Sequence, residues 1–112
     1  MGRIIPPLGH FEQIVLLAVL RLGDSAYGVS IRREIGLCTR RKPSPGALYT
    51  TLDRLEAKGL LKSSFGSPTA ERGGRAKRFF KATRRGSEAI AQAQRSFRRL
   101  LRGLPLLGGS HA

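Results

Sequence analysis

The sequence predicts a mainly α-helical domain that carries one small β-hairpin. Three observations predict it. Residues 9–58 hold three stretches with helical apolar spacing, separated by Gly23-Asp24-Ser25 and by Cys38–Pro43. After Gly59 the pattern changes to two short strand-like runs around a loop rich in turn formers. From Thr83 onward, Ile90, Ala93, Phe97, Leu100 and Leu104 alternate spacings of three and four, the seam of a helix that pairs with another helix.

Each element has its own local signal. Residues 1–8 are a short tail in which Pro6 and Pro7 delay the first helix. Gly9 to Leu22 is apolar almost all the way round, so this helix is expected to be covered on more than one side. Gly23-Asp24-Ser25 is a turn, and Asp24 or Ser25 is placed to cap the second helix. That helix is expected over Ala26 to Leu37, with Tyr27, Ile31 and Ile35 on one face and Val29 off it. A basic loop, Cys38-Thr39-Arg40-Arg41-Lys42-Pro43, leads to Ser44.

The third helix has a defined start and stop. The Ser44 hydroxyl can accept a free backbone N–H of the first turn. Pro45 stands at the first helical position, where its missing N–H costs nothing. Gly59 follows Lys58 as a left-handed stop. At roughly 100° per residue, Leu48, Leu52 and Leu55 share one face. Gly46, Thr50, Arg54 and Ala57 share the opposite one, which is slim and carries one hydroxyl and one guanidinium. A helix that only had to stay soluble would carry longer charged side chains there. A helix that enters the major groove of DNA needs this slimness and a few hydrogen-bonding groups.

Beyond Gly59, residues 60–65 read as a strand, 66–75 as a loop and Ala76 to Ala82 as a second strand. Thr83 caps a last helix that runs to about Leu104, before Pro105. Residues 106–112 form a tail. Two helices, a recognition helix and a basic hairpin add up to a winged helix-turn-helix over residues 9–82, followed by a C-terminal dimerisation helix over 83–105.

Composition sets the partner class. The 112 residues suit one domain. The chain has 21 Lys and Arg against 7 Asp and Glu, a formal net charge of +14, which favours a polyanionic partner. Double-stranded DNA leads, with an anionic membrane surface second. One cysteine, Cys38, excludes an internal disulfide framework and a multi-cysteine zinc site, and it is expected to fill apolar space. His10 and His111 have no ligand cluster beside them, so neither metal nor cofactor is expected. No apolar run reaches a membrane span, and the N-terminal segment lacks the apolar stretch of a signal peptide. The expected location is the cytoplasm. An enzyme is not expected, because there is no nucleophile elbow, paired-carboxylate site or phosphate loop.

Ser44-Pro45-Gly46-Ala47-Leu48-Tyr49, then Leu52, Leu55 and Lys58-Gly59-Leu60, resemble the signature of the PadR-like winged-helix transcriptional regulators. Ala26-Tyr27-Gly28 with Ile31, Gly74-Arg75 with Lys77, and Thr83 with Gly86 match in the same order. The resemblance spans about residues 9–104 and implies a dimeric DNA-binding regulator, usually a repressor, of the branch with a single helix after the wing. Phe79-Phe80 departs from a pair that usually contains tyrosine, Ala82 stands where a larger apolar residue is common, and Val29-Ser30 replaces an aromatic and a Glu.

Residue by residue, Thr50 is expected to meet a base edge, and Tyr49 and Arg54 phosphates. Tyr27, Ser44, Gly46 and Ala47 complete the expected helical contacts, and Arg72, Arg75, Lys77 and Arg78 those of the wing. The expected dimer interface comprises Phe11, Val15, Ile90, Ala93, Phe97, Leu100 and Leu104. A small apolar or aromatic effector between the core and the dimer helices would suit such a regulator, though no residue identifies one. The competing reading is a non-specific protein that coats nucleic acid. It shares the charge, but the chain lacks interleaved exposed aromatics for stacking bases.

Overall fold

The computed structural model describes residues 7–66 and 76–106. Helix α1 is His10–Leu22, and the single 3-10 turn Gly23–Ser25 joins it to α2, Gly28–Thr39. Helix α3 is Pro45–Ala57. Strands β1, Leu61–Phe65, and β2, Arg78–Ala82, form an antiparallel pair, and α4 is Arg84–Leu101. In the hairpin Leu61 faces Ala82, Ser63 faces Phe80 and Phe65 faces Arg78.

Helix α1 is the axle of the fold: α2, α3, α4 and β2 all pack on it. Its Val15, Leu16, Ala18 and Val19 join Ile31, Ile35, Leu48, Leu52, Leu55, Leu60, Leu61 and Phe80 in one buried cluster. Burial of this apolar surface is the main favourable term for so small a domain. Leu17 and Leu20 stay on the surface of α1.

Four element boundaries differ from the sequence reading by two residues or more, one of them the end of α2, at Thr39 rather than Leu37. Helix α2 starts at Gly28 rather than Ala26, and neither Asp24 nor Ser25 caps it with a side chain. Ser30 does this work from inside the first turn. Its Oγ accepts the Tyr27 N–H at 3.0 Å and donates to the Ser25 carbonyl. Ala26 is then free to run extended beside the hairpin, where its carbonyl accepts the Phe80 N–H at 2.8 Å. Strand β2 starts at Arg78 rather than Ala76, although the Gly66 N–H still reaches the Lys77 carbonyl at 2.8 Å. Helix α4 stops at Leu101 rather than Leu104, and Gly103 turns the chain at φ 82°. At the end of α2, Arg40 takes a left-handed conformation, with its N–H on the Gly36 carbonyl.

The stop of α3 is built as expected. The Gly59 N–H reaches the Glu56 carbonyl, the Leu60 N–H reaches the Leu55 carbonyl, and Gly59 has φ 77°. This pair of bonds is the Schellman closure. The same turn seats α4. Thr83 donates its hydroxyl to the Gly59 carbonyl at 2.7 Å and its N–H to the Leu60 carbonyl at 3.1 Å, while its Oγ1 caps the Gly86 N–H. A Cβ on Gly86 would lie 2.2 Å from the Leu60 carbonyl oxygen, so glycine is what lets helix and turn meet.

Candidate nucleic-acid interface

Helix α3 has one dry face and one wet face. Leu48, Thr51, Leu52 and Leu55 are buried, whereas Gly46, Ala47, Thr50, Arg54 and Ala57 are not. Ser44 caps the helix by accepting the Ala47 N–H at 3.1 Å. The cap leaves its hydroxyl proton free to point outward, since the cap uses only an oxygen lone pair. Thr51, one residue from Thr50, belongs to the core and was not placed there by the sequence reading.

Tyr49 sits between the two faces at 40% exposure. Its hydroxyl lies against Gly28: a Cβ there would be 1.8 Å from Oη. Gly28 is therefore the floor on which the phenol rests, and α2 fixes where the hydroxyl emerges. Around it lie two open depressions. One, of about 250 Å³, is bordered by Val29, Arg32, Arg33, Lys42 and Pro45. The other, of about 400 Å³, is bordered by Tyr27, Val29, Lys77 and Arg78.

Arg33 and Val29 were absent from the sequence-derived site. The signal was available: Val29 and Arg33 are one turn apart, on the face opposite Ile31 and Ile35, and both are exposed. Arg32 is held, because its Nε donates to the Pro43 carbonyl at 2.6 Å and ties the loop before α3 to α2.

The wing residues divide. Arg72 and Arg75 lie outside the described residues. Lys77 places its Nζ 4.2 Å from the centre of the Tyr27 ring, and that ring meets Phe79 edge-on at 5.5 Å. Tyr27 is thus the shelf under Lys77. Arg78 is turned inward: Nη2 is 2.8 Å from Glu56 Oε1 and 3.3 Å from Asp53 Oδ1, and the guanidinium covers Phe80. Ser63 also donates to Glu56. The Ser63 hydroxyl, and the Arg78 guanidinium after it, hold the Glu56 carboxyl below its ordinary range against the opposing effect of burial. Arg78 thereby ties the wing to α3, its guanidinium engaged with two carboxylates of that helix.

A second ion pair steadies the same, C-terminal end of α3. Lys58 Nζ is 2.8 Å from Glu12 Oε2. Burial pushes the Glu12 carboxyl up, but Lys58, the Gly9 N–H and the charge of Arg54 together bring it below the ordinary value.

The residues expected at a dimer interface fall into two groups. Val15 is fully buried and Ile90 nearly so, both inside the protomer's own core, which removes them from any outer surface. Phe11 and Ala93 are half-buried, while Phe97, Leu100 and Leu104 are 61%, 78% and 55% exposed. Cys38 is exposed rather than an apolar filler, with its Sγ 3.6 Å from Glu34 Oε2. Among the described residues no group of His, Cys, Asp and Glu could hold a metal ion, and no helix is long and apolar enough to cross a membrane.

Known proteins share this layout. An X-ray structure of a PadR-like transcription factor from Bacteroides fragilis superposes with a TM-score of 0.70 at 24% identity, over 80% of this chain and 82% of that one. A transcriptional regulator from Clostridium thermocellum gives 0.66 at 23% identity, over 80% and 84%. These two show the fold. The transcriptional regulator Rv3488 of Mycobacterium tuberculosis is 44% identical over 66 residues, which is 59% of this chain and 56% of that protein's length. The profile of the transcriptional regulator PadR-like family matches residues 16–92, more than half of the chain and every element from α1 into α4, so the chain belongs to the PadR-like family of transcriptional regulators.

Proposed function

We propose that the chain is a sequence-specific regulator of transcription that binds an inverted-repeat operator in double-stranded DNA as a homodimer and represses. The observation that carries this reading is the two-sided character of α3. Its Leu48, Leu52 and Leu55 face is dry, and its Gly46, Thr50 and Arg54 face is bare and slim. Residues 9–82 bind DNA, with Thr50 at a base edge, Tyr49, Arg54 and Lys77 at phosphates, and Ser44, Gly46 and Ala47 lying against the groove. Residues 83–105 join the protomers through Ala93, Phe97, Leu100 and Leu104, with Phe11 alongside. The groove of about 340 Å³ between Leu8, Gln13, Ala93 and Phe97 is the place for a small apolar or aromatic effector.

The net charge of +14 equally suits a protein that coats nucleic acid without sequence preference. Selection of bound duplexes from a random pool separates the two, since a specific dimer enriches an inverted repeat and a coat enriches nothing. On the enriched site, Thr50→Ala should change preference at one symmetric position of each half-site by about 1 kcal/mol, read by titrating single-base variants. Tyr49→Phe should weaken all duplexes alike, because phosphates carry no sequence. The opposite pattern would mean that the helix is rotated about its axis from the orientation assigned here.

A further inference from the structure

Helix α4 carries a second basic surface that the recognition face does not use. Arg95, Arg98, Arg99 and Arg102 crowd its last two turns and its C-terminal cap, and all four are exposed. They lie on the side of the helix away from Ile90, Ala93 and Phe97. No carboxylate of the described residues stands within ion-pair distance of any of them, and the one ion pair on α4 is Arg84 with Glu88, at the other end. Like charges three and four residues apart oppose helix formation, so the cluster carries a cost that a solvated surface would not need. Every cation of α4 is arginine and none is lysine. The planar guanidinium fork matches the oxygens of a phosphate in pairs, which an ammonium does not.

The position of this surface matters as much as its charge. Helix α1 touches both α3 and α4, which barely meet each other. The molecule is long, 56 by 39 by 22 Å, and α4 is exposed almost throughout from Arg95 onward. The α3 face and the Arg95–Arg102 surface thus belong to separate elements joined through α1, and a duplex laid on the first can leave the second uncovered. With Phe97, Leu100 and Leu104 engaged by a second copy, the arginines of both copies still face outward.

We propose that the Arg95, Arg98, Arg99 and Arg102 face of α4 binds the phosphates of a second nucleic-acid duplex, so that one dimer holds two DNA segments together. The outward placement of the arginines in the dimer rests on the pairing through α4 proposed above. The occupant is chosen by charge complementarity and by the exclusive use of arginine. Seven residues of helix advance about 10 Å, which spans adjacent phosphates of one strand rather than a single isolated anion. The binding is independent of sequence, since phosphates alone are read.

The test measures the two surfaces separately. The full-length protein is first saturated with a donor-labelled duplex selected as its preferred site. An acceptor-labelled duplex of unrelated sequence is then added, and energy transfer between the two duplexes reports bridging. The comparison variant is Arg95→Gln, Arg98→Gln, Arg99→Gln and Arg102→Gln together, since glutamine keeps helix propensity and removes charge. The wild type should bridge, and bridging should fall about 100-fold in affinity between 50 and 200 mM salt if each arginine meets one phosphate. The variant should lose bridging by at least about tenfold, while its affinity for the first duplex changes less than about twofold and its sedimentation stays that of the wild type. Bridging that persists in the variant, or its absence in the wild type, overturns the proposal. An equal loss of first-duplex affinity would put the arginines in the primary footprint and also overturn it. Tighter wild-type binding to vesicles of anionic phospholipid than to the second duplex would assign the face to a membrane instead. Failure of the first duplex to bind at all would count against the regulator reading, and energy transfer between two unrelated duplexes would then still decide this one.

Discussion

The two ends of α4 share one apolar seam but meet opposite fates. At its start, Gly86, Ala89 and Ile90 are buried against the protomer's own core, and Thr83 clasps the turn after α3. Further along, Phe97 and Leu100 continue the same alternation into solvent, while exposed Leu104 lies beyond the end of the helix, past the Gly103 turn. A seam read from spacing alone cannot say which neighbour covers it. What separates the ends is cover: Gly86 meets Leu16 of α1 and the Leu60 carbonyl, whereas every residue from Arg95 to Leu100 is exposed. The same pattern therefore belongs to the stability of one chain at one end, and at the other to association, if the proposed dimer holds.

The strongest way to break this contrast is at Gly86. Gly86→Ala places a Cβ against the Leu60 carbonyl, where backbone must move. It should destabilise the protomer by about 3 kcal/mol, seen as a lower midpoint of urea unfolding. A substitution at the other end should spare the protomer. Phe97→Asp puts a charge where an apolar partner is expected, and should weaken dimerisation by about 2 kcal/mol or more without moving the unfolding of the isolated protomer. Sedimentation at micromolar concentration checks the first half and denaturation under monomeric conditions the second. An unfolded Phe97→Asp protomer would show that both ends serve the core.

The wing allows the same contrast on a smaller scale. Arg78→Ala removes the tie to Glu56 and Asp53 and should cost about 1 kcal/mol of stability. It should leave the dependence of DNA affinity on salt unchanged. Lys77→Ala should do the reverse, lowering the log–log salt slope by about 0.9 with little change in unfolding. The smallest effect concerns acid. Glu12 and Glu56 are both held below the ordinary value of 4.5 in the folded chain. Their contribution to stability is therefore fully present above that value, and is lost as pH falls through the lower folded values. Thermal unfolding should be level from neutral pH down to about 5.5 and decline below about 4.5. Glu12→Gln should make that decline shallower.

These contrasts also explain which parts of the molecule were legible in the sequence. The start and stop of α3 were legible because their chemistry is local: Ser44, Pro45 and Gly59 act within a turn of themselves. The division of α3 into dry and wet faces came from periodicity alone. The cap of α2 was not legible, because Ser30 serves from the third helical position and leaves Asp24 and Ser25 without that role. The engagement of Arg78 was also hidden. It depends on the register that sets Phe65 opposite Arg78 and on the packing of that hairpin over Glu56, neither of which short-range pattern contains. Val15 and Ile90 were assigned to the dimer because α1 is apolar nearly all round and Ile90 opens the α4 seam, and only the packing within the chain shows which of these apolar residues the core uses.

The clasp between Thr83 and the carbonyls of Gly59 and Leu60 has a consequence for operator architecture. Those carbonyls lie in the turn that closes α3, the proposed recognition helix, and Thr83 is the first residue of the arm proposed to join two protomers. The tilt between reading element and joining arm is thus set within a hinge of about two residues, stiffened by a glycine that admits no side chain. In a dimer paired through that arm, the phase between half-sites along the double helix would be inherited from this corner. Relatives that read similar half-sites at different spacings should then differ first around Gly59, Thr83 and Gly86, and only afterwards on the face that touches bases.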